Sequence, residues 1–487
     1  MHFMNSEGSI KVNPVHPKDL TKDDWIADLR SLFTVIGENN PYLYLKKRER
    51  GYLWTNLLDE YEKRMNVAKR TTDYLEVIFD AVQALQTGHS VVMGPNLWDL
   101  LYAVEWYRNA EPYCQIFSES IDQFYDYWKP ILKEYLEARL FFEFEVLIMY
   151  DRGEYQIVDG HNNWLEKYGE GTTITRVNGI PILDAVKGAY EKGLLDYDFK
   201  RKWWHLWRIA PRHFGANAKF TIRTSRGEEK QVTFDSGPDY SFPNLLKFPE
   251  ERLYTKIWED RKVGYVRIGE FSEETIVEDG EYLLKFYKSI EDYELMIIDV
   301  RGNGGGTYKV WMENVIAPLA KTTLESKMYL AYRQADYVNK FREGAVIGPI
   351  ITPRELENAP PEVVNGEYLI HEYPQVVEPS GMCDFKGKIV VLTDAFTYSA
   401  TDAFALFCKE TGFAELYGTP TGGDGISYSP IYYVLPNSKL AVRFTPAMGL
   451  DYTGAANEEV RVKPDVFYES EYGNWDELIQ YVLENQT

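Results

Sequence analysis

Two apolar runs of strand length each end in a turn of small residues, and these turns carry the chemistry of the chain. The first, LMIIDVRGNGGGT at residues 295–307, breaks into glycines. The second, GKIVVLTDAFTYSATDAFALF at residues 387–407, breaks into a short polar turn that holds Ser399. A buried strand that feeds such a turn places backbone N–H groups or a nucleophile at one edge of a sheet. The pair predicts an oxyanion hole that faces a nucleophilic serine.

Each turn also has a simpler interpretation. A glycine-rich turn after a strand can bind a nucleotide, but Gly302, Gly304 and Thr307 do not fit the G-x-G-x-x-G spacing. No Gly-Lys-Ser/Thr follows them, and Asp299 would repel a pyrophosphate. Ser399 precedes an apparent helix that begins near Thr401, and serine is a preferred helix N-cap. On spacing alone, the capping role is the more common one for such a serine.

Composition narrows the class of protein. The chain has 487 residues, a formal net charge of −22 and 15% aromatic residues, including 37 tyrosines. Its length allows two or three domains and a large core. The acidic balance argues against nucleic acid and anionic membrane surfaces as partners. The aromatic content suits broad grooves as well as cores.

The cysteines and the apolar runs argue against disulfide-stabilised, CxxC metal-binding and membrane-spanning proteins. Three cysteines without paired spacing indicate neither a disulfide framework nor a CxxC metal site, and no run of apolar residues is long enough to span a membrane. The N-terminus, MHFMNSEGSIKVNP, lacks the basic-then-apolar pattern of a secretion signal. The chain as written is therefore expected in the cytoplasm, although a chain trimmed of an export signal would look the same.

The periodicity of apolar residues changes along the chain and predicts its organisation. After a loose tail (1–17), apolar residues at helical spacing predict a helical cap (18–140). Short alternating runs then predict a strand-rich insert (141–237) with a hairpin at Gly227. Strands that alternate with helical stretches predict a parallel or mixed sheet in a core (255–470), which a C-terminal helix (471–487) follows. The fold class is therefore a multidomain α/β protein.

The order of several motifs resembles one family of enzymes. GYVRIGEFS, LMIIDVRGNGGG, GKIVVLTDAFTYSATDAFA, LYGTPTGG and LPNSKLAV follow one another, and Glu458 then stands six residues before Pro464. Together they are similar to the tail-specific (C-terminal processing) protease family, and ENNPYLY and LQTGHS in the cap resemble its tricorn-like branch. The resemblance implies a crotonase-like α/β core, a PDZ-like insert and serine proteolysis.

The resemblance also implies which residue activates the serine. One branch of the family uses a lysine in a Gly-Lys-Gly sequence, but Asp424 stands at that place here, and an aspartate cannot replace this base. The other branch uses a histidine from the cap, which His89 in Thr-Gly-His-Ser matches. A late glutamate, matched by Glu458 with Glu459 as a rival, would orient the histidine. Ser90 either supports the base or only stabilises its turn.

The resemblance assigns the remaining parts of the site. The oxyanion donors are expected to be the N–H of Gly305 or Gly304 and the N–H of Ala400, because glycine lets a substrate carbonyl approach. The insert lacks the short Gly-hydrophobic-Gly loop that binds a peptide carboxylate, so recognition of C-termini by the insert is doubtful.

The expected function is a serine endopeptidase that acts on a peptide or protein without a metal or an organic cofactor. The alternatives are a catalytically silent ligand- or peptide-binding protein on the same scaffold and a non-proteolytic acyl-transfer hydrolase. The sequence leaves open whether the protein forms a homo-oligomer.

Overall fold

A computed structural model describes residues 16–242, 244–342, 348–427 and 429–486. Most of the predicted loose tail therefore lies outside the described residues. None of the helices in the described part of the chain combines the length and the apolar character that a membrane span needs.

The cap is helical, as the spacing of its apolar residues predicts. Two of its helices each turn an apolar side inward: Leu29 and Leu32 on the first and Leu75 and Ile78 on the second are fully buried. Its elements are helices α1 (Lys22–Asn39), α2 (Leu43–Arg50), α3 (Leu58–Val67), α4 (Thr71–Gln83), α5 (Pro95–Ala103), α6 (Glu105–Asn109) and α7 (Glu119–Phe141), the short strand β1 (Val91–Val92) and 3₁₀ turns at Pro17–Asp19, Trp54–Leu57 and Tyr113–Gln115.

The insert is built on an antiparallel sheet with its own apolar core. The sheet order is β11-β10-β5-β4-β3-β9, and the predicted hairpin around Gly227 joins β10 to β11. Its elements are β2 (Glu143–Phe144), β3 (Val146–Asp151), β4 (Glu154–Gly160), β5 (Thr173–Val177), β6 (Ile180–Pro181), β7 (Asp196–Asp198), β8 (Trp203–His205), β9 (Arg208–Ile209), β10 (Phe220–Arg223), β11 (Glu229–Val232), β12 (Ser236–Gly237), α8 (Trp164–Tyr168), α9 (Ile182–Lys187) and α10 (Pro211–Phe214).

The core contains a mixed main sheet, smaller sheets and the helices packed around them. Its strands are β13 (Leu253–Trp258), β14 (Val263–Ile268), β15 (Leu295–Asp299), β16 (Leu324–Ser326), β17 (Tyr329–Arg333), β18 (Ile350–Ile351), β19 (Tyr368–Glu372), β20 (Gln375–Val377), β21 (Lys388–Thr393), β22 (Glu415–Gly418), β23 (Ile431–Val434), β24 (Ala441–Phe444), β25 (Ala447–Leu450) and β26 (Val466–Phe467). Its helices are α11 (Ile276–Ser289), α12 (Tyr308–Trp311), α13 (Ala317–Leu319), α14 (Asp336–Arg342), α15 (Pro361–Asn365), α16 (Ala400–Thr411), α17 (Asn457–Val460) and α18 (Asp476–Asn485), with a π-turn at Met312–Ile316.

The main sheet brings the two glycine- and serine-bearing turns together. Its order is β13-β14-β15-β21-β22-β26, and all pairs except β13 with β14 are parallel. Strands β15 and β21 are neighbours in register, with Asp299 opposite Leu392. The turns that follow them therefore leave the same edge of the sheet, as the sequence predicts, and the α/β fold class is confirmed.

One strand of the core lies outside the main sheet. Strand β24, in the segment KLAVRF, belongs to a separate three-stranded sheet with β23 and β1. Strand β1 comes from the cap, so its backbone pairs with the core: Val91 lies opposite Arg443 and Val92 opposite Val442. This pairing holds the loop that precedes β1 against the core. Sequence periodicity could not show it, because a two-residue strand carries no periodic signal.

Candidate active site

Ser399 occupies the sharp turn between β21 and α16. Its backbone has φ +54° and ψ −127°, a conformation that a residue with a side chain rarely adopts. Such strain costs on the order of 1–3 kcal/mol and persists only where the surroundings enforce it. Here the N–H of Ser399 donates to the carbonyl of Gly423 at 3.2 Å, and its own carbonyl accepts from Ala403 N at 3.1 Å. Both backbone groups are thus fixed.

The hydroxyl of Ser399 does not cap the helix. Ser399 stands at the N-cap position of α16, yet its side chain makes no capping hydrogen bond and is only half-buried. The capping interpretation of the sequence is therefore wrong. A strained serine at a strand-to-helix turn, with its hydroxyl left free, is the geometry of a nucleophile.

The glycine-rich turn after β15 is fastened to this serine turn by Asn303, which is fully buried. The side-chain oxygen of Asn303 accepts from Gly305 N at 2.9 Å and from the Thr401 hydroxyl at 2.7 Å. Its backbone carbonyl accepts from Tyr398 N at 3.0 Å, and its amide donates to Ile268 O at 3.1 Å. One asparagine thus fixes the distance between the two turns.

These contacts correct one expected oxyanion donor. The N–H of Gly305 is taken by Asn303, so Gly305 does not offer it to a substrate. Within the described residues, the N–H groups of Gly304 and Ala400 make no hydrogen bond, and Gly304 is exposed. Gly305 is required for a different reason. At φ +119° it packs against Ser399, and an added Cβ would lie 2.8 Å from Ser399 Cβ and 3.2 Å from Ala400 N.

His89 reaches the site on the loop between α4 and β1. Its Nδ1 lies 2.5 Å from Asp424 Oδ2, and its ring lies 5.2 Å from the ring of Tyr398. Gly88 allows this approach, because a Cβ at that position would meet the Tyr398 hydroxyl at 2.0 Å. The other ring nitrogen, Nε2, makes no hydrogen bond to the described residues, and neither does the Ser399 hydroxyl. Nε2 is therefore the ring nitrogen that is not used within the described residues.

Asp424 receives two hydrogen bonds on one oxygen. Its Oδ2 accepts from His89 and, at 2.9 Å, from the hydroxyl of Tyr398. Burial alone would raise the pKa of the Asp424 carboxyl, but the charge and hydrogen bond of His89 and the hydrogen bond of Tyr398 hold the pKa below its ordinary value. Burial and the nearby carboxylate raise the pKa of Tyr398 well above its ordinary value, so the phenol remains a donor.

Glu458, the expected partner of His89, lies against a different residue. Its Oε1 accepts from Lys46 Nζ of α2 at 3.0 Å, and burial raises the pKa of its carboxyl. Glu459 instead pairs with Arg48 of the same helix. The short helix α17 thus directs both glutamates toward the cap helix α2. Asp424, and not Glu458, therefore makes the contact with His89 Nδ1 that was expected of Glu458.

Ser90 contributes to the turn that carries His89. Its hydroxyl lies 2.5 Å from the hydroxyl of Thr87, and its N–H donates to the carbonyl of Thr87 at 3.1 Å. No hydrogen bond between Ser90 and the imidazole is found. Turn stabilisation is therefore the role that its contacts support.

Three residues of the site were missed or misjudged from the sequence. The sequence indicates only that Asp424 stands where one branch of the family has its catalytic lysine. A buried aspartate between Gly423 and Gly425, at φ +55°, is nevertheless an unusual placement for a charge. Tyr398 and Asn303 gave no signal beyond their neighbours, because their roles depend on contacts between segments distant in the chain. Within the described residues, no cluster of three His, Cys, Asp or Glu side chains could hold a metal.

The core matches a known family. Residues 262–468 match the family model of peptidase family S41. No curated protein is similar to the chain in sequence.

Solved structures share the fold over nearly the whole chain. Mature CPAF is 14% identical, the alignment covers 96% of this chain and 96% of that chain, and the TM-score is 0.57. Mature CPAF complexed with lactacystin is 15% identical, the alignment covers 96% of this chain and 97% of that chain, and the TM-score is 0.56. The photosystem II D1 C-terminal processing protease is 14% identical over 92% of this chain and 94% of that chain, but its TM-score of 0.40 is too low to support an argument. At such identity, the likeness to mature CPAF shows the fold alone.

The two neighbouring glycines of the turn should respond differently to the same substitution. Gly305→Ala places a methyl group against Ser399 at a positive φ, so we expect turnover to fall by at least about 100-fold, comparable to the loss of an oxyanion donor. Gly304→Ala meets no protein atom within 4 Å and keeps its N–H, so we expect a smaller loss, which arises only from the added methyl group near the substrate carbonyl. Initial rates of peptide hydrolysis measure both. Equal losses in the two variants would contradict the steric role of Gly305.

Proposed function

We propose that the chain is a serine-type peptidase, since residues 262–468 match the model of peptidase family S41. In this proposal Ser399 is the nucleophile, His89 is the general base and Asp424 is the carboxylate that orients His89. The observation that carries the proposal is the strained, uncapped Ser399, which directly follows Tyr398, the residue whose ring lies 5.2 Å from the ring of His89. The Nδ1 of this histidine is already bound by Asp424. Because Asp424 occupies Nδ1, the basic lone pair of His89 is on Nε2.

The proposed reaction forms and hydrolyses an acyl-enzyme. Ser399 Oγ attacks the carbonyl carbon of the peptide while His89 Nε2 takes the hydroxyl proton. The N–H groups of Gly304 and Ala400 donate to the oxyanion of the tetrahedral intermediate. His89 then returns the proton to the leaving amine, and an ester remains on Ser399. A water molecule activated by the same imidazole hydrolyses this ester and restores the serine.

Asp424 and Tyr398 support the base. The Asp424 carboxylate stabilises the imidazolium that forms during attack, and it fixes the tautomer of His89. The hydroxyl of Tyr398 keeps Asp424 ionised by donating to the same oxygen. Catalytic hydrogen bonds of the kind proposed between Ser399 and His89 often tighten only when the substrate binds.

We also propose that the enzyme is an endopeptidase of the tricorn-like type, built from the cap, the insert and the core at the boundaries expected from the sequence. The cap supplies His89 and the core supplies Ser399 and Asp424, so the site needs both units. The antiparallel sheet of the insert supports a PDZ-like interpretation. A catalytically silent binding protein is not favoured, because the family match covers the core and the site retains a serine, a base and a carboxylate.

The assignment of the nucleophile and the base is tested by covalent labelling. We expect a fluorophosphonate to label Ser399 and to inhibit peptide hydrolysis. Ser399→Ala should remove the labelling and lower turnover by about four to six orders of magnitude, and His89→Ala should lower both to a similar extent, since the two residues act as one unit. Peptide mapping of the labelled protein identifies the site. Labelling that persists in Ser399→Ala would show that another residue is the nucleophile.

The two carboxylates near His89 should differ in importance. Asp424→Asn keeps the shape but loses the charge that binds His89 Nδ1, so we expect kcat to fall by about 10⁴-fold. Glu458→Gln removes a partner of Lys46 rather than of His89, so we expect a loss of less than about 10-fold in kcat. Steady-state kinetics on one peptide compare them, and Tm measurements check that both variants are folded. The reverse order of losses would make Glu458 the orienting residue.

Tyr398→Phe should change the pH dependence of the enzyme. The hydrogen bond from Tyr398 lowers the pKa of Asp424, so its removal raises that pKa and the carboxylate is lost at a higher pH. The acidic limb of kcat/KM should therefore move to higher pH, with KM near its original value. The other titratable groups around Asp424, namely Tyr42, Lys46 and Glu458, are unchanged in this variant.

The control for this substitution is Tyr125→Phe. Tyr125 is also hydrogen-bonded through its hydroxyl and is fully buried, but its partners are backbone atoms of Met93 and Ala441. We expect this variant to keep the acidic limb where it is. An unmoved limb in Tyr398→Phe would exclude the role proposed for the hydroxyl.

A further inference from the structure

A cavity of 630 Å³ lies between the insert and the core and reaches the active site. Gly88, Gly304, Tyr398 and Gly422 line its inner end, so it opens beside the histidine loop, the glycine-rich turn and the residue that precedes Ser399. Its volume falls within the about 300–1,000 Å³ of sites that bind small ligands. The cavity is therefore continuous with the place where a peptide bond would be cleaved.

Four aromatic side chains from four separate segments meet in this cavity. We call Trp207, Phe248, Phe396 and Trp475 the aromatic cluster, and all four are partly exposed and line the cavity. The ring of Phe396 lies 6.2 Å from that of Trp207 and 5.5 Å from that of Phe248, and Phe248 lies 5.7 Å from Trp475. Each pair is arranged edge to face, a favourable geometry for aromatic rings.

The aromatic cluster is tied to the catalytic residues by short segments of chain. Phe396 precedes Ser399 by three residues on the same turn. Phe248 packs against Gly302 of the glycine-rich turn, where an added Cβ would lie 3.0 Å from its ring. A group that contacts Phe396 and Phe248 is thus held between the two turns that carry the nucleophile and the oxyanion donors.

Most charged residues of the cavity wall are paired with one another. Arg152 binds Glu471 at 3.0 Å, and Lys200 binds Glu469 at 3.1 Å. Arg301 pairs with Asp299 at 2.6 Å and lies over the ring of Trp475 at 4.2 Å. Asp394 of the described wall has no ion-pair partner, but its Oδ1 accepts from the N–H groups of Gly302 at 2.9 Å and Phe396 at 3.0 Å. The surface offered to a ligand is therefore aromatic, with mostly paired charges around it.

We propose that this cavity is a specificity subsite that binds a large apolar or aromatic side chain of the peptide substrate, next to the bond that is cleaved. The proposal rests on the proposed peptidase function and adds the class of substrate. An aromatic side chain buries 150–250 Å² and gains edge-to-face contacts with the aromatic cluster, whereas alanine or a charged residue gains neither. We expect these contacts to persist in the transition state, because the cavity wall includes Tyr398, which precedes Ser399, and Gly304 of the glycine-rich turn.

The test is a set of quenched fluorescent peptides that differ at one position beside the cleaved bond, with Phe, Leu, Ala, Lys or Glu. We expect kcat/KM for the Phe or Leu peptide to exceed that for the Ala, Lys and Glu peptides by at least about 10-fold, since a few methylene groups in an apolar pocket give 10–200-fold discrimination. Trp207→Ala and Phe248→Ala each remove one wall of the pocket. Both variants should reduce the Phe-to-Ala ratio by about 5-fold or more.

The matched control is Trp106→Ala, because Trp106 is 55% exposed on the cap and does not line the cavity. We expect this variant to keep the Phe-to-Ala ratio of the unaltered protein. A flat profile, a preference for a small or charged residue, or a Phe-to-Ala ratio that survives both Trp207→Ala and Phe248→Ala would overturn the proposal. Fluorophosphonate labelling, carried out in parallel, reports on Ser399 independently of any subsite.

Binding to Ser399→Ala tests the subsite without turnover. Isothermal titration with an uncleaved Phe peptide and its Ala analogue should give a dissociation constant at least about 10-fold lower for the Phe peptide. Equal dissociation constants would overturn the subsite even if the enzyme is an active peptidase. A lower dissociation constant without fluorophosphonate labelling would support the subsite and reject the proposed nucleophile.

Discussion

A single oxygen of a buried carboxylate holds the candidate site together. Asp424 Oδ2 accepts hydrogen bonds from His89 of the cap and from Tyr398 of the core, and so it joins two segments more than three hundred residues apart. An unpaired carboxylate at this depth would be costly, and both donors are needed to offset its burial. The position of the base relative to Ser399 therefore follows from the requirement to satisfy one buried charge.

The pKa of the second carboxylate near the site, Glu458, is shifted in the direction opposite to that of Asp424. Donors hold the pKa of Asp424 low, whereas burial raises that of Glu458 despite Lys46. The two acids repel each other, and the chain separates their roles by giving each a different partner. Asp424 faces the imidazole, and Glu458 binds the cap helix α2. Pairs of carboxylates with separated pKa values are common where one must remain charged for catalysis.

The sequence predicts the strands that feed the two turns, because buried parallel strands appear as continuous apolar runs. It also predicts Ser399 and His89 through motif order. It could not distinguish Asp424 from Glu458, since that choice depends on the direction in which α17 points its side chains. Nor could spacing reveal that Asn303 occupies the N–H of Gly305, because a side-chain to backbone hydrogen bond leaves no periodic trace. The errors lie where tertiary contacts, rather than local preference, decide the outcome.

The pairing of β1 with β24 has a consequence for how the protein can be divided. Val92 lies two residues beyond Ser90, so the backbone that carries His89 runs directly into a strand of a sheet shared with the core. A core without the cap would lose its histidine and would also expose β24 as an unpaired edge, which invites association with other chains. The cap thus covers an edge of a core sheet in addition to carrying His89, the base that we propose.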